Sequence, residues 1–163
     1  MLYFFALVAT VTGIIVFLHW YSYGYLKSRI VSRRTWDLNV CCGTTDGGGV
    51  NVDIVRHTDL PNFVQVDNVY SLPFADRQFD TVLCSHTIEH VEYPRRFDRE
   101  LRRVAKEVVY VLPPVWDIAA AANIWEHRWL FLTLRKVHRT LPRCTPLPFA
   151  RKLQARIGQR VTA

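Results

Sequence analysis

The strongest constraint in this sequence is its uncharged beginning. The first 26 residues contain no lysine, arginine, aspartate or glutamate, and residues 2–18 are almost wholly apolar. About 20 helical residues, each rising roughly 1.5 Å, cross a hydrocarbon core of roughly 30 Å, so this segment is long enough to span a bilayer. Aromatic side chains then cluster as they do at a membrane interface, at Trp20, Tyr21, Tyr23 and Tyr25. We therefore predict a transmembrane anchor over residues 1–26.

The charges that follow predict the orientation of this anchor. Lys27, Arg29, Arg33 and Arg34 come directly after the apolar segment, whereas no lysine or arginine precedes it. Because the cytoplasmic flanks of membrane spans are enriched in these residues, we expect the amino terminus outside and the soluble domain on the cytoplasmic face. Residues 27–35 are then a basic juxtamembrane linker. A cleaved signal peptide is the alternative, but its basic start, shorter apolar core and small-residue cleavage site are not clear here.

The remainder of the chain has the composition of a folded domain with an uneven charge distribution. Half of the 163 residues are hydrophobic and 21% are charged, which excludes a disordered chain. Residues 37–126 carry fourteen acidic and eight basic side chains, whereas residues 127–163 carry nine basic and no acidic ones. The net charge of +7 therefore belongs to the two ends of the chain, and the middle is acidic.

Five apolar runs in the middle of the chain predict strands. They cover residues 36–42, 50–55, 63–66, 79–84 and 107–112, and a helix with one apolar face is expected over residues 94–105. Apolar runs without alternation, joined by turns and helices, are typical of a parallel sheet covered on both faces. We predict an α/β domain over residues 36–145 with a mostly parallel sheet of about five strands.

Small and polar residues end four of these strands. Gly43 and Asp53 follow the first two, Asp67 follows the third, and Ser85 with His86 follows the fourth. Ligands of open parallel sheets bind outside the carboxyl ends of the strands. These residues therefore predict a binding site along one edge of the sheet.

The order of the segments LNVCCG, VNVDI, VDNVYSLPFADRQFDTVLCSHTIEHV and FDRELRRVAKEVVYVLPP carries a family resemblance. It resembles a class I S-adenosylmethionine-dependent methyltransferase of the type 11 group. The resemblance covers about residues 36–114, the donor-binding half of that fold, and LPFADRQFD…SHTIEH is its most specific part. It implies a truncated Rossmann-like methyltransferase fold with S-adenosyl-L-methionine as cofactor.

The resemblance assigns the ribose and methionine parts of the donor to the first two strand ends. The turn at Cys41 and Gly43 would pass under the methionine, where a missing side chain lets the backbone approach closely. Asp53 would accept hydrogen bonds from the ribose hydroxyls, as acidic residues do in related dinucleotide sites.

The same resemblance assigns the adenine and the reacting methyl group to the next two strand ends. Asp67 would accept a hydrogen bond from the adenine amino group, with Asn68 and Val69 flanking the ring. Ser85 and His86 would face the transferring methyl group, and His86 is the candidate catalytic base. Each aspartate taken alone also fits an ordinary turn residue.

Two departures from the family pattern favour an alternative function. Cys41 and Thr45 stand where the family's glycine-rich turn usually has glycines, so that only Gly43 remains. About ten residues separate Gly43 from Asp53, which leaves no room for a normal first helix of about 11–12 residues. The helix amino terminus that would hold the donor's carboxylate is then absent or a single turn. The alternative is a catalytically inactive, methyltransferase-like accessory or structural subunit of a membrane complex.

Residues 86–90 also fit the H-x-x-E-H pattern of inverted zinc proteases. On a helix His86 and His90 would share one face and could ligate zinc, with Glu89 as general base. That pattern needs a third ligand, usually an acid downstream, and no acid follows Glu126. We therefore predict no metal. No C-x-x-C spacing is present either, so the cysteines at the strand ends are interpreted as small buried residues.

The end of the chain is basic and rich in apolar residues. The aromatic block at residues 124–134 favours a core element over the sheet edge, with a lipid-facing surface as the alternative, and no convincing pair of further strands is visible in residues 115–163. Residues 146–163 predict a basic amphipathic tail with an apolar stripe at Phe149, Leu153, Ile157 and Val161. Such a helix fits a membrane surface, or packs on its own domain. No nucleic-acid-binding module accompanies it.

Together these features predict a membrane-anchored, S-adenosylmethionine-dependent methyltransferase. Its acceptor would be a lipid, a quinone-like molecule or a membrane protein at the bilayer. The expected partners are membrane lipids and, under the alternative, other subunits of a membrane complex. Nucleic acid is not a predicted partner.

Overall fold

The computed structural model describes residues 1–158 as an α/β domain behind a long N-terminal helix. The helices are α1 (Leu2–His19), α2 (Lys27–Val31), α3 (Pro94–Val104), α4 (Ile118–Ala121) and α5 (Ala150–Ile157). The strands are β1 (Trp36–Val40), β2 (Gly48–Asp53), β3 (Phe63–Gln65), β4 (Phe79–Ser85), β5 (Ala105–Val111), β6 (Trp129–Phe131), β7 (Val137–His138) and β8 (Cys144–Pro146).

The N-terminal helix is continuous over Leu2–Val31, because a π-helical segment (Trp20–Leu26) joins α1 to α2. Its most apolar stretch has a mean hydropathy of 2.2 and is not buried, so the helix is long and apolar enough to cross a membrane. The segment expected to be a linker is helical as far as Val31. Its basic side chains contact tyrosines one turn earlier: Lys27 donates to Tyr23 at 3.4 Å and Arg29 to Tyr25 at 2.9 Å. Contacts at this spacing stabilise a helix.

The main sheet has six strands in the order β3-β2-β1-β4-β5-β7, and every pair except β5–β7 is parallel. The predicted α/β fold with a mostly parallel sheet is therefore confirmed. The expected number of strands was too small by one. The sixth strand, β7, has only two residues, which is too short to produce a hydrophobic pattern in the sequence. Strands β6 and β8 form a separate antiparallel pair.

Apolar side chains cover both faces of this sheet. One face carries the larger core, in which Phe97, Leu101 and Val104 of α3 are fully buried, as their spacing predicts. The smaller cluster on the other face joins Trp36 and neighbouring strand residues to Val31 of α2. The end of the N-terminal helix is therefore part of the packing of the domain.

A polar network replaces the first helix between β1 and β2. Residues 41–47 form turns, and buried Asn39 donates to Asn51 at 3.1 Å and to the carbonyl of Thr45 at 2.8 Å. Asn51 in turn accepts from the backbone of Gly47 at 2.9 Å. Gly49 lies so close to β1 that a β-carbon there would sit 2.3 Å from the carbonyl oxygen of Trp36. These contacts hold the turn after β1 rigidly at the edge of the sheet.

The apolar block at residues 124–134 contributes to the core in part. Phe131 is fully buried in the larger core and Trp129 packs against it, whereas Trp125, Leu132 and Leu134 are exposed. The outer side chains of the block therefore remain on the surface.

The tail helix α5 packs on the domain by a different face from the predicted stripe. Ala150 and Gln154 are buried, and Gln154 donates to the carbonyl of His127 at 3.0 Å. Phe149 and Ile157 of the stripe are exposed, and Val161 lies outside the described residues.

Candidate active site

A cavity of about 470 Å³ opens at the carboxyl ends of the central strands. This volume is within the roughly 300–1,000 Å³ that small-molecule sites occupy. The cavity brings together five of the residues predicted from the sequence, which are Cys41, Gly43, Asp53, Ser85 and His86. The parallel register explains this gathering, since β1 pairs with both β2 and β4 and their ends meet at one edge.

Asp53 joins the ends of β1 and β2. Its carboxylate is buried and accepts hydrogen bonds from the backbone N–H of Gly43 and of Ile54, both at 2.8 Å. Gly43 has a φ of +56°, and a β-carbon built there would meet no atom within 4 Å. The neighbouring Cys41 also has a positive φ, 53°, although it is not glycine. Burial, and then the charge of Asp53, raise the pKa of the Cys41 thiol, so this side chain stays protonated.

The three residues predicted to contact adenine do not line this cavity. Asp67 and Asn68 are exposed, and Asn68 accepts from the backbone N–H of Tyr70 at 2.9 Å within its own turn. Val69 is buried in the larger core. Since β3 is the edge strand, with β2 and β1 between it and β4, the segment after it lies away from the strand ends that form the cavity.

His86 lies at the end of β4 in a strained conformation. It has a φ of 53°, and its backbone N–H donates to the carbonyl of Val111 at 2.9 Å. Both ring nitrogens have neighbours: Nε2 is 2.7 Å from the ammonium of Lys136, and Nδ1 is 3.2 Å from a carboxylate oxygen of Glu89. Burial lowers the pKa of His86 to about 4, so the ring is neutral and Lys136 is the donor in the first contact.

Side chains of the N-terminal helix close one side of the cavity. His19, Tyr23 and Lys27 line it, one helical turn apart. The ring of Tyr23 stands edge-on to His86, with centroids 5.0 Å apart. The helix is attached to the domain at this level, because His19 Nδ1 lies 3.0 Å from a carboxylate oxygen of buried Asp117.

Lys136 is the second attachment point, and sequence reasoning missed it. Its buried ammonium donates to the hydroxyl of Ser22 at 2.9 Å as well as to His86. Burial lowers its pKa to about 8, although the charges of Asp117 and Glu89 act in the opposite direction. No sequence motif surrounds Lys136, and its partners lie 50 and 114 residues earlier in the chain.

A second unpredicted grouping lies in the wall of the same cavity. Glu89, His90 and His127 are buried and offer ligand atoms within 4.8 Å of one another. The sequence pattern had paired His90 with His86 instead. His127 has no signal in the sequence, because it comes 37 residues after His90 and follows the short helix α4.

The cavity offers suitable partners for the ribose and methionine parts of S-adenosylmethionine. The hydroxyl of Ser85 is buried and has no hydrogen-bond partner among residues 1–158. The Asp53 carboxylate accepts two hydrogen bonds and has further lone pairs, because a carboxylate offers about four such positions. The space above Gly43 is open. The residues predicted to contact adenine, Asp67 and Asn68, lie outside this cavity.

Part of the chain is similar to known proteins. Residues 47–112 match the family model described as a methyltransferase domain, and no curated relative matches the chain. Among solved structures, the cyclase SpnF is 20% identical, with 52% of this chain and 43% of that chain covered and a TM-score of 0.43. YcgJ of Bacillus subtilis is 21% identical, with 62% and 56% covered and a TM-score of 0.42.

A further match is a complex of the Trm112 methyltransferase activator of Haloferax volcanii, at 20% identity and a TM-score of 0.41. It covers 66% of this chain and 57% of that one. The chain thus spans about half the length of the solved structures that it matches. The match of residues 47–112 to this family model agrees with the resemblance to type 11 methyltransferases.

Proposed function

We propose that this chain is a membrane-anchored, S-adenosylmethionine-dependent methyltransferase that acts on a membrane-associated acceptor. Residues 1–26 would form the anchor and residues 27–35 the basic segment at its cytoplasmic end. Residues 36–145 would form the methyltransferase domain, and residues 146–163 a basic tail near anionic lipid. The acceptor would be a lipid, a quinone-like molecule or a membrane protein.

One observation carries this proposal: the candidate cavity is built jointly from the strand ends and the N-terminal helix. The cavity is lined by His19, Tyr23 and Lys27 of the helix and by Gly43, Asp53 and Ser85 at the strand ends. In a spanning helix the aromatic residues 20–25 would lie at the lipid–water interface. The cavity would then sit at the membrane surface, where an acceptor dissolved in the bilayer can reach it.

The donor would be held mainly by the strand ends. Asp53 would accept hydrogen bonds from the ribose hydroxyls, Gly43 would allow close approach of the methionine part, and Ser85 would lie near the reacting group. When bound, S-adenosylmethionine supplies an electrophilic methyl group on a sulfonium sulfur. The protein would accelerate transfer mainly by holding donor and acceptor in line.

The catalytic role predicted for His86 remains a prediction. Both ring nitrogens have close polar neighbours in this structure: Nε2 accepts from Lys136 at 2.7 Å, and Nδ1 lies 3.2 Å from a carboxylate oxygen of Glu89. The arrangement therefore supports a role for His86 in shaping the cavity wall, and the proposed reaction does not depend on general-base catalysis by this residue.

Calorimetric titration of the detergent-solubilised chain with S-adenosylmethionine tests the donor site. We expect saturable micromolar binding that Asp53→Asn weakens by at least about tenfold, because one hydrogen bond to a charged group contributes roughly 1.5–3 kcal/mol. Asp67→Asn is the matched control and should bind nearly as the wild type, because Asp67 lies outside the cavity. Circular dichroism would establish that both variants are folded.

A second candidate function is the inactive accessory subunit of a membrane complex. Three observations favour it: no helix follows β1, both Asp53 oxygens already accept backbone hydrogen bonds, and Asp67 faces solvent. No binding at millimolar donor, together with stoichiometric copurification of other subunits, would support this function and refute the enzyme. Strong loss of binding in Asp67→Asn alone would refute the donor geometry proposed above.

Membrane attachment is tested separately by extraction with alkaline carbonate. The full chain should stay in the membrane pellet, whereas a variant without residues 2–18 should be released. Digestion of sealed vesicles of known sidedness should cut the domain only when the cytoplasmic face is exposed. Release of the full chain by carbonate would contradict the anchor, and cleavage from the outer face would contradict the orientation.

A further inference from the structure

We infer that Glu89, His90 and His127 form a binding site for a divalent transition-metal ion of the zinc class. The inference is independent of methyl-donor binding and concerns the part of the cavity lined by His90 and His127. It rests on the positions of the three donor atoms, on the unsatisfied Glu89 carboxylate and on the backbone groups that orient the imidazoles.

The three side chains converge without being neighbours in secondary structure. One donor atom of each lies within 4.8 Å of the other two, and all three side chains are buried. The imidazoles of His90 and His127 meet edge to face, with centroids 4.6 Å apart. A metal ion with bonds of about 2.0–2.2 Å would draw the donor atoms closer together by rotation of the side chains.

The Glu89 carboxylate is buried and lacks well-formed hydrogen bonds. It is fully buried, and neither of its oxygens has a hydrogen-bond partner among the described residues. Oε1 lies 3.2 Å from His86 Nδ1, but not with the geometry of a hydrogen bond. A buried carboxylate without well-formed hydrogen bonds is unfavourable, and a coordinated cation would place a positive charge in direct contact with it.

The two imidazoles are oriented by backbone groups, as metal-binding histidines usually are. Nδ1 of His90 lies 3.0 Å from the carbonyl oxygen of Glu126. His127 lies near the backbone of Ala120. Its Nδ1 is buried and has no hydrogen-bond partner within residues 1–158. A nitrogen in this situation is suited to donate its lone pair to a metal.

The site differs from the zinc-protease pattern read from residues 86–90. That pattern requires a helix, but these residues form bends and turns, and His86 is directed toward Lys136. His127 takes the place of His86 in the cluster. Two histidines and one carboxylate form a ligand set typical of zinc and related divalent ions, with the remaining positions open to solvent or substrate. His90 and His127 line the cavity, so the open positions would face it.

Titration with Co²⁺, which reports its ligands by visible absorption, tests this site. The untagged full chain in detergent, stripped with a chelator, should bind one equivalent of Co²⁺, and Zn²⁺ should displace it. Glu89→Gln and His127→Ala should each weaken binding by more than the roughly 10–100-fold contributed by outer-shell partners. His138→Ala is the matched control, because His138 contacts Thr133 instead and should leave binding unchanged.

A variant that gains a new Co²⁺ absorption band distinguishes loss of a metal ligand from failure to fold. In His127→Cys the bound Co²⁺ should acquire a thiolate charge-transfer band that the wild-type chain lacks. Absence of one-equivalent binding by the wild-type chain would overturn the proposal. So would unchanged affinity in both folded loss variants, or a thiolate band in the wild type, which would indicate cysteine ligands instead.

Discussion

The buried ammonium of Lys136 makes a quantitative prediction about stability and pH. Its side chain is 7% exposed, and it links the N-terminal helix to His86 through hydrogen bonds at 2.9 and 2.7 Å. Burial lowers its pKa from 10.5 to about 8, while Asp117 and Glu89 favour the charged form and Lys27 opposes it. A pKa difference between the folded and unfolded chain makes the free energy of unfolding depend on pH.

Whether stability rises or falls with pH depends on whether the folded or the unfolded chain binds the Lys136 proton more strongly. Between about pH 8 and 10.5 the unfolded chain holds this proton and the folded chain loses it, so stability rises with pH. The shift from 10.5 to about 8 corresponds to about 3 kcal/mol at roughly 1.4 kcal/mol per pH unit. The hydrogen bonds to Ser22 and His86 favour the ammonium, so we take about 3 kcal/mol as the upper bound of the gain.

Urea unfolding of the solubilised chain between pH 7.5 and 10.5 would measure this effect. The difference in unfolding free energy between the wild type and Lys136→Met should grow by up to about 3 kcal/mol over this range. Taking the difference cancels the titration of tyrosines and cysteines that both proteins share. Lys106→Met is the control, because Lys106 is exposed and should show little change. A difference for Lys136→Met that stays constant with pH would refute the reasoning.

Three further predictions concern the packing of the domain, each measured by urea unfolding. Gly49→Ala should lower the free energy of unfolding by more than about 3 kcal/mol, because its β-carbon would lie 2.3 and 2.6 Å from carbonyl oxygens of β1. Gly13→Ala is the control, because the added β-carbon meets open space and should not destabilise the chain. Equal effects of the two substitutions would contradict this reasoning. Leu101→Ala should cost about 2–5 kcal/mol, because this side chain is fully buried, and a loss below 1 kcal/mol would show that the core is loosely packed. Glu100→Gln should destabilise at pH 7, because the hydrogen bond and charge of Arg103 hold the pKa of this carboxylate below its usual value despite burial. That stabilisation is present above pH 4.5 and is lost as pH falls through the lowered pKa, so a Glu100→Gln deficit that persists in strong acid would contradict it.

The separate elements of the domain were largely predictable because each has a local signal. The five apolar runs correspond to β1–β5, and the spacing of Phe97, Leu101 and Val104 predicted the buried face of α3. The two-residue strand β7 and the pair β6–β8 were missed, since strands of two or three residues leave almost no periodic pattern.

The site was predictable only where topology alone determines position. Parallel strands that pair directly must end at the same edge, so Gly43, Asp53 and Ser85 meet in one cavity, as their places in the sequence indicate. The edge position of β3 could not be deduced in the same way, and it leaves Asp67 in solvent.

The apolar helix, the α/β class and the polar residues at the strand ends could be predicted from the chain alone, because periodicity, turn residues and family pattern are all local properties. The contact between Ser22 and Lys136, 114 residues apart, and the meeting of His127 with Glu89 and His90 depend on how the chain packs in three dimensions. Contacts of this kind arise when burial forces polar groups from distant segments to find partners, and no pattern along the chain records which groups will meet.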